Sequence, residues 1–305
     1  MKLTEVIQQE YSSLEKTKEL VRNRRNDTDI LQLINQYICW IDEVNEKRLG
    51  SKHEIAYALA EEILLSQKER YTYTHASILS ILLSEYEKIP FFKMSGLFLS
   101  AIINQKENPN YEKEDSNYEK EDLNNKKENL NYEKEDQNSQ KESISSCTLF
   151  LQDTQEYLNH VGYRNNGAHI IIEGNVNSSV CEEMKNGFVE IKGDVGAFAC
   201  MRMSGGKVHI HGNAKHTFCQ NLLGGEVILD GSVKSSFGEY SFKDMKGGNV
   251  IVKKNVDCIA NVLGGTVHIY GNVNHAHGIS DSSVIIGKPR GEEIKEKNKE
   301  EKREK

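Results

Sequence analysis

Residues 203–214 read MSGGKVHIHGNA, and the same phrase returns down the chain as LLGGEVILDGSV at 222–233, MKGGNVIVKKNV at 245–256 and LGGTVHIYGNV at 263–273. Extended in both directions, the alignment gives seven copies of a G-x-V-x-I-x-G-N-V pattern, beginning at residues 168, 187, 206, 225, 248, 265 and 282 and spaced by 19, 19, 19, 23, 17 and 17 residues. Self-similarity at a fixed short period is the mark of a stacked repeat. Within each copy apolar and polar residues alternate, with Val208 and Ile210 expected inward and Lys207, His209 and His211 outward, as in a half-buried strand. Glycines recur at the copy starts (Gly187, Gly206, Gly225, Gly248, Gly265) and after the strands (Gly193, Gly212, Gly231, Gly271). The latter are read as turn residues that tolerate positive φ. A unit this short has no room for a propeller blade or a crossover helix. Stacked coils of a parallel β-helix fit, on the order of 30 Å long at about 4.8 Å per coil.

Aligned copies also predict ladders. Met184, Met203, Leu222, Met245 and Val262 share one column, and Cys181, Cys200, Cys219, Phe242 and Ile259 share another. Three cysteines at even spacing invite a metal or iron–sulfur reading. Phe and Ile in the same column favour buried packing instead, because cysteine behaves as a small hydrophobe and a linear stack is poor tetrahedral geometry. Eight of the ten histidines fall in this region, including the pairs His209-x-His211 and His275-x-His277. On a strand each pair shares a face and could give two ligands to zinc or copper, although no third ligand is evident beside them. The alternative is a polar rim beside a ladder.

Outward from the repeat, the rest of the chain has a different composition. Of 23 glycines in 305 residues, only Gly50 and Gly96 precede residue 160. Residues 1–104 show apolar residues at three- and four-residue steps, as in Ile30, Leu31, Ile34, Tyr37, Ile38 and Ile41, and predict an all-α domain. Five helices are expected, near 3–24, 29–46, 52–68, 74–88 and 92–104, with Gly50 ending the second, Ser51 to Glu54 at capping-box spacing, and Pro90 between the last two. Trp40, His53 and His75 are read as packing residues. Residues 105–145 repeat every seven (NYEKEDS at 110, NYEKEDL at 117, NYEKEDQ at 131) but form no a/d seam, so a disordered charged linker is expected. Residues 146–290 make the β-helix and 291–305 a charged tail. The fold class is therefore multidomain α + β.

Net charge is −7 and the pI near 5.9, which gives general nucleic-acid binding little electrostatic basis. The longest apolar run, GLFLSAII at 96–103, is too short to span a bilayer, and the N-terminus has no apolar signal core. A cytoplasmic protein with six reduced cysteines is the expectation.

The four glycine-rich phrases resemble the GXGXG repeat domain, found at the C-terminus of the glutamate synthase large subunit and, in related form, in one of the subunits of formylmethanofuran dehydrogenase. The resemblance covers residues 160–288 and implies a right-handed parallel β-helix that supports catalytic parts without holding redox centres. This chain departs from the family pattern at Cys200, Cys219 and Lys254. It also lacks an N-terminal cysteine nucleophile, a flavin-binding barrel and an iron–sulfur cysteine cluster, so it is not glutamate synthase by itself. A weaker resemblance is to bactofilins, whose β-helices polymerise. The expected role is a non-catalytic scaffold with protein partners, no cofactor and no catalytic residues of its own. The alternatives are an accessory subunit of an oxidoreductase or amidotransferase complex, and a self-assembling filament.

Overall fold

The computed structural model describes residues 28–66, 71–85, 92–105, 146–151, 158–236, 238–279 and 284–287. The helix expected near 3–24, the linker beyond Gln105, all three prolines and the charged tail lie outside the described residues. Among the described residues, four helices are followed by a parallel β-solenoid of about 7 turns. The helices are α1 Thr28–Glu46, α2 His53–Leu65, α3 Tyr73–Glu85 and α4 Ser95–Asn104. The strands are β1 Ser146–Phe150, β2 Asn166–Glu173, β3 Asn186–Ile191, β4 Lys207–Ile210, β5 Glu226–Leu229, β6 Asn249–Val252, β7 Val256–Ala260, β8 Thr266–Ile269, β9 Val273–His277 and β10 Val284–Ile286.

One long parallel sheet runs β1-β2-β3-β4-β5-β6-β8-β10, each strand contributed by a successive coil. Register follows the aligned copies without slippage from β3 onward: Val189 pairs with Val208, Val208 with Val227, Val227 with Val250 and Val250 with Val267. These valines are fully buried, as are Ile191, Ile210, Leu229, Val252 and Ile269 two positions on. The two-residue period thus fills the interior with two apolar columns. A second face is a row of single bridges, Val176, Val195, Ala214, Val233 and Val256, that ends in the β7·β9 pair. Strand β1, which carries no glycine signature, adds a turn ahead of the first copy.

The two glycine columns do different jobs. Gly206 at a copy start has φ +82°, so the left-handed turn residue expected after the strands stands here instead. Gly212 after the strand does not have positive φ. A Cβ there would lie 2.5 Å from the Gly193 carbonyl oxygen and 2.3 Å from Asp194 Oδ1, so this column is glycine because stacked turns approach too closely for a side chain. Beside it the Asn175, Asp194 and Asn213 side-chain oxygens accept from the backbone N–H of Asp194, Asn213 and Ser232 in the following coils, at 2.7, 2.6 and 3.0 Å.

The third corner of several coils is left-handed at alternate residues, most of them not glycine. Phe198, Cys200 and Arg202 have φ of 61°, 59° and 55°, and Thr217, Cys219 and Asn221 repeat this at 60°, 56° and 53°. Such residues rarely adopt this conformation. Here neighbouring coils hold it, because Phe198, Cys200 and Arg202 donate their N–H groups to the carbonyls of His216, Val180 and Gln220. In the 17-residue coil from 248 the corner is replaced by strand β7 and a single left-handed residue, Asn261.

The helices cover the β1 end of the solenoid, and one hydrophobic core runs from Trp40 and Phe98 through Leu149 and Tyr163 to Val284. Trp40 packs 5.4 Å from Phe98, and its indole N–H donates to the Ala56 carbonyl at 2.8 Å, which agrees with a packing role. Gly96 of α4 sits directly on the first coil, since a Cβ there would lie 2.1 Å from the Asn159 carbonyl oxygen. Ser100 reinforces this contact, donating to the His160 carbonyl and accepting from the Tyr163 N–H.

Two local expectations change. Helix α1 ends at Glu46 and is closed by Arg48 at φ 52°, not by Gly50, in a motif where Arg48 and Leu49 donate to the Asn45 and Val44 carbonyls and Leu49 is buried. The capping box at Ser51 does not form: Lys52 is the residue at the start of α2 and no side chain caps it. The preceding motif already sets the chain path, leaving Ser51 one position too early.

Candidate functional site

The outward face of the long sheet carries the chemistry. Positions 190, 209 and 228 form one outward row by register, and Glu190, His209 and Ile228 occupy it. Two residues further on, the row of Lys192, His211, Asp230 and Lys253 sets one acid among basic side chains. Successive coils bring these side chains together diagonally. His211 Nε2 lies 2.8 Å from Glu190 Oε1 in the coil before, and its Nδ1 lies 3.0 Å from Asp230 Oδ2 in the coil after. His209 Nε2 lies 3.1 Å from both Asp230 oxygens, and the two imidazole centroids are 4.1 Å apart. Lysines close both ends, Lys192 Nζ at 2.6 Å from Glu190 and Lys253 Nζ at 2.7 Å from Asp230.

Partial burial acts to raise both carboxyls, but their partners outweigh it. Hydrogen bonds from Lys192 and His211 hold Glu190 below the usual carboxylate range, and those from Lys253 and His209 do the same for Asp230. Both acids are therefore anionic at neutral pH. Ligand atoms of Glu190, His209 and His211 all lie within 4.8 Å of one another.

The third ligand-type side chain beside the His209 and His211 pair is Glu190, from the previous copy. Reading each histidine pair within its own copy hid it. Reading down columns would have found both Glu190 and Asp230, because register puts Glu190 directly beside His209. The second pair behaves differently. His275 and His277 are exposed on β9, opposite Cys258 and Ala260, and no metal-competent grouping among the described residues includes them.

The cysteine column is interior. Cys181, Cys200 and Cys219 are free and fully buried, and burial pushes the Cys181 and Cys219 thiols well above their ordinary range. Thiols held in the protonated form are neither nucleophiles nor thiolate ligands. Met184, Met203 and Met245 are likewise fully buried, so both columns pack as core.

A second cluster lies where helices meet coils. Glu182, fully buried, receives Arg202 at 2.7 Å and His160 at 3.2 Å, with His53 of α2 at 3.4 Å. His53 stacks on His160 at 4.8 Å, and Arg202 also reaches Glu183 at 2.9 Å. His75 links α3 to α1 through Asp29 at 3.0 Å. The packing roles read for His53 and His75 agree with these contacts. No helix among the described residues is long and apolar enough to cross a membrane. No family model matches the chain, and no curated protein matches it.

Proposed function

We propose that the protein is a non-catalytic scaffold that presents protein partners with a rigid, evenly spaced surface. The observation carrying this reading is the single core that joins the helical cap to the successive coils. Interior columns fix every coil against its neighbours, so outward side chains form a grid with the strand spacing of about 4.8 Å. Such a lattice suits a surface that must be held still. Purification of the full chain from its native cells, followed by mass spectrometry, tests the reading. Recovery of a consistent protein partner and no chromophore is the expected result, whereas a stoichiometric flavin or iron–sulfur chromophore on the isolated chain overturns it.

The second reading, an accessory subunit of an oxidoreductase or amidotransferase complex, is supported by the resemblance of residues 203–273 to the GXGXG repeat domain. The same purification distinguishes it by the identity of the partner: a flavin, molybdenum or tungsten enzyme favours this role. End-to-end polymerisation is the least favoured reading, because α3 and α4 pack over the β1 end that a growing filament would need.

A further inference from the structure

We infer that Glu190, His209 and His211 form a zinc(II) site on the outer sheet face, with Asp230 holding both imidazoles from behind. The inference does not depend on the scaffold reading. It begins with the division of labour among ring nitrogens. His209 turns Nε2 and His211 turns Nδ1 toward Asp230, which leaves His209 Nδ1 and His211 Nε2 as the nitrogens available to an ion. His211 Nε2 is also the atom that faces Glu190, at 2.8 Å. Two imidazole nitrogens and one carboxylate oxygen make a three-ligand zinc set with an open position for water. A carboxylate on the far side of a ligating histidine fixes its tautomer and raises its basicity.

Each ligand comes from a rigid frame. His209 lies on β4, Glu190 on the adjacent β3, and interior neighbours on both strands are fully buried. The side chains of His209, His211 and Glu190 are 25%, 33% and 21% exposed, so an ion can reach them while part of their water is already removed. Without zinc, Lys192 neutralises Glu190. Zinc takes that carboxylate oxygen and releases the Lys192 ammonium, whose side chain is 37% exposed, into solvent. In the same state Asp230 keeps its ion pair with Lys253 while accepting from both rings.

The test is equilibrium dialysis and calorimetry with zinc chloride on the full chain carrying Cys39→Ser, which removes the exposed thiol. One equivalent is expected to bind. His211→Ala and Glu190→Gln are expected to weaken binding at least about tenfold and Asp230→Asn by about 10–100-fold. Lys192→Met should tighten it, and His275→Ala with His277→Ala should leave it unchanged. Cobalt(II) in place of zinc should give an intense visible spectrum of low coordination number. Nitrogen-15 shifts of the histidine rings in unsubstituted protein should move at two residues on adding zinc, which identifies the ligands even if a variant unfolds. Absence of binding to the Cys39→Ser protein, or ring shifts confined to histidines other than His209 and His211, overturns the site.

Discussion

Two clusters of several histidines and carboxylates stand out among the described residues, built from the same residue types and doing opposite things. At the junction, Glu182 is fully buried and surrounded by Arg202, His160 and His53 from three segments of chain. On the sheet face, Glu190 and Asp230 are about a quarter exposed and bracket two imidazoles from one strand end. The buried cluster uses its charges to fasten a helical cap to a solenoid. The open cluster keeps its two imidazoles a quarter to a third exposed, within reach of solvent. Burial and the number of chain segments that converge, more than residue identity, separate a fastening from a site.

The comparison breaks most readily at Glu182. Glu182→Leu removes the only carboxylate, among the described residues, that contacts Arg202, His160 and His53 together, and should cost about 3 kcal/mol because several largely buried groups lose their hydrogen-bond partner at once. Glu190→Gln on the open face should cost about 0–1 kcal/mol, as exposed pairs do. Chemical denaturation of the two variants side by side measures the contrast, and equal losses would erase it.

Next in size is Gly96→Val. Its side chain meets the Asn159 carbonyl and Val161 at the cap contact, and overpacking of this kind costs about 1–3 kcal/mol. Trp40 is the only tryptophan in the chain and reports on the cap alone. In the parent protein its fluorescence transition should coincide with the loss of far-ultraviolet circular dichroism, as a shared core requires. In Gly96→Val the fluorescence transition should move first.

A smaller effect appears in acid. Glu190, Asp230 and Glu183 all have carboxyls held below the ordinary range by cationic partners. Their contribution to stability is present above the unfolded values, about 3.9 for Asp and 4.3 for Glu, and is lost as pH falls through the lower folded values. The melting-temperature difference between the parent and the Glu190→Gln/Asp230→Asn double variant should therefore be largest near neutrality and shrink below about pH 4. Smallest of all, Asp230→Asn alone should change stability by under about 1 kcal/mol while its effect on zinc affinity is large. That separation of stability from binding distinguishes a positioning residue from a fastening.

Much of the solenoid is legible in the amino-acid sequence. Valine and isoleucine at alternate positions, repeated at even intervals, specify both the strands and their register, and Val208 and Ile210 are inside as their spacing requires. The left-handed corners were not legible, because Cys200, Phe198 and Thr217 occupy φ values that their own preferences disfavour. Only hydrogen bonds from the coils above and below stabilise them there, and such bonds leave no mark within a single copy. The site was half legible for the same reason. His209 and His211 are neighbours in sequence, whereas Glu190 and Asp230 become neighbours only when copies are stacked. Gly212 shows a third kind of gap: its identity was visible, but steric closeness between turns, not a turn angle, accounts for it.

The side-chain oxygens that pass from Asn175 to Asp194 to Asn213 give each coil the same handhold on the next. A molecule assembled this way has a natural unit of length. Excising residues 206–224, one full 19-residue period, would rejoin faces, columns and handholds in phase, whereas removing one residue fewer would throw every outward side chain of the following strand to the inside. The chain can therefore be lengthened or shortened like a measured rod, provided the cut is made in whole coils.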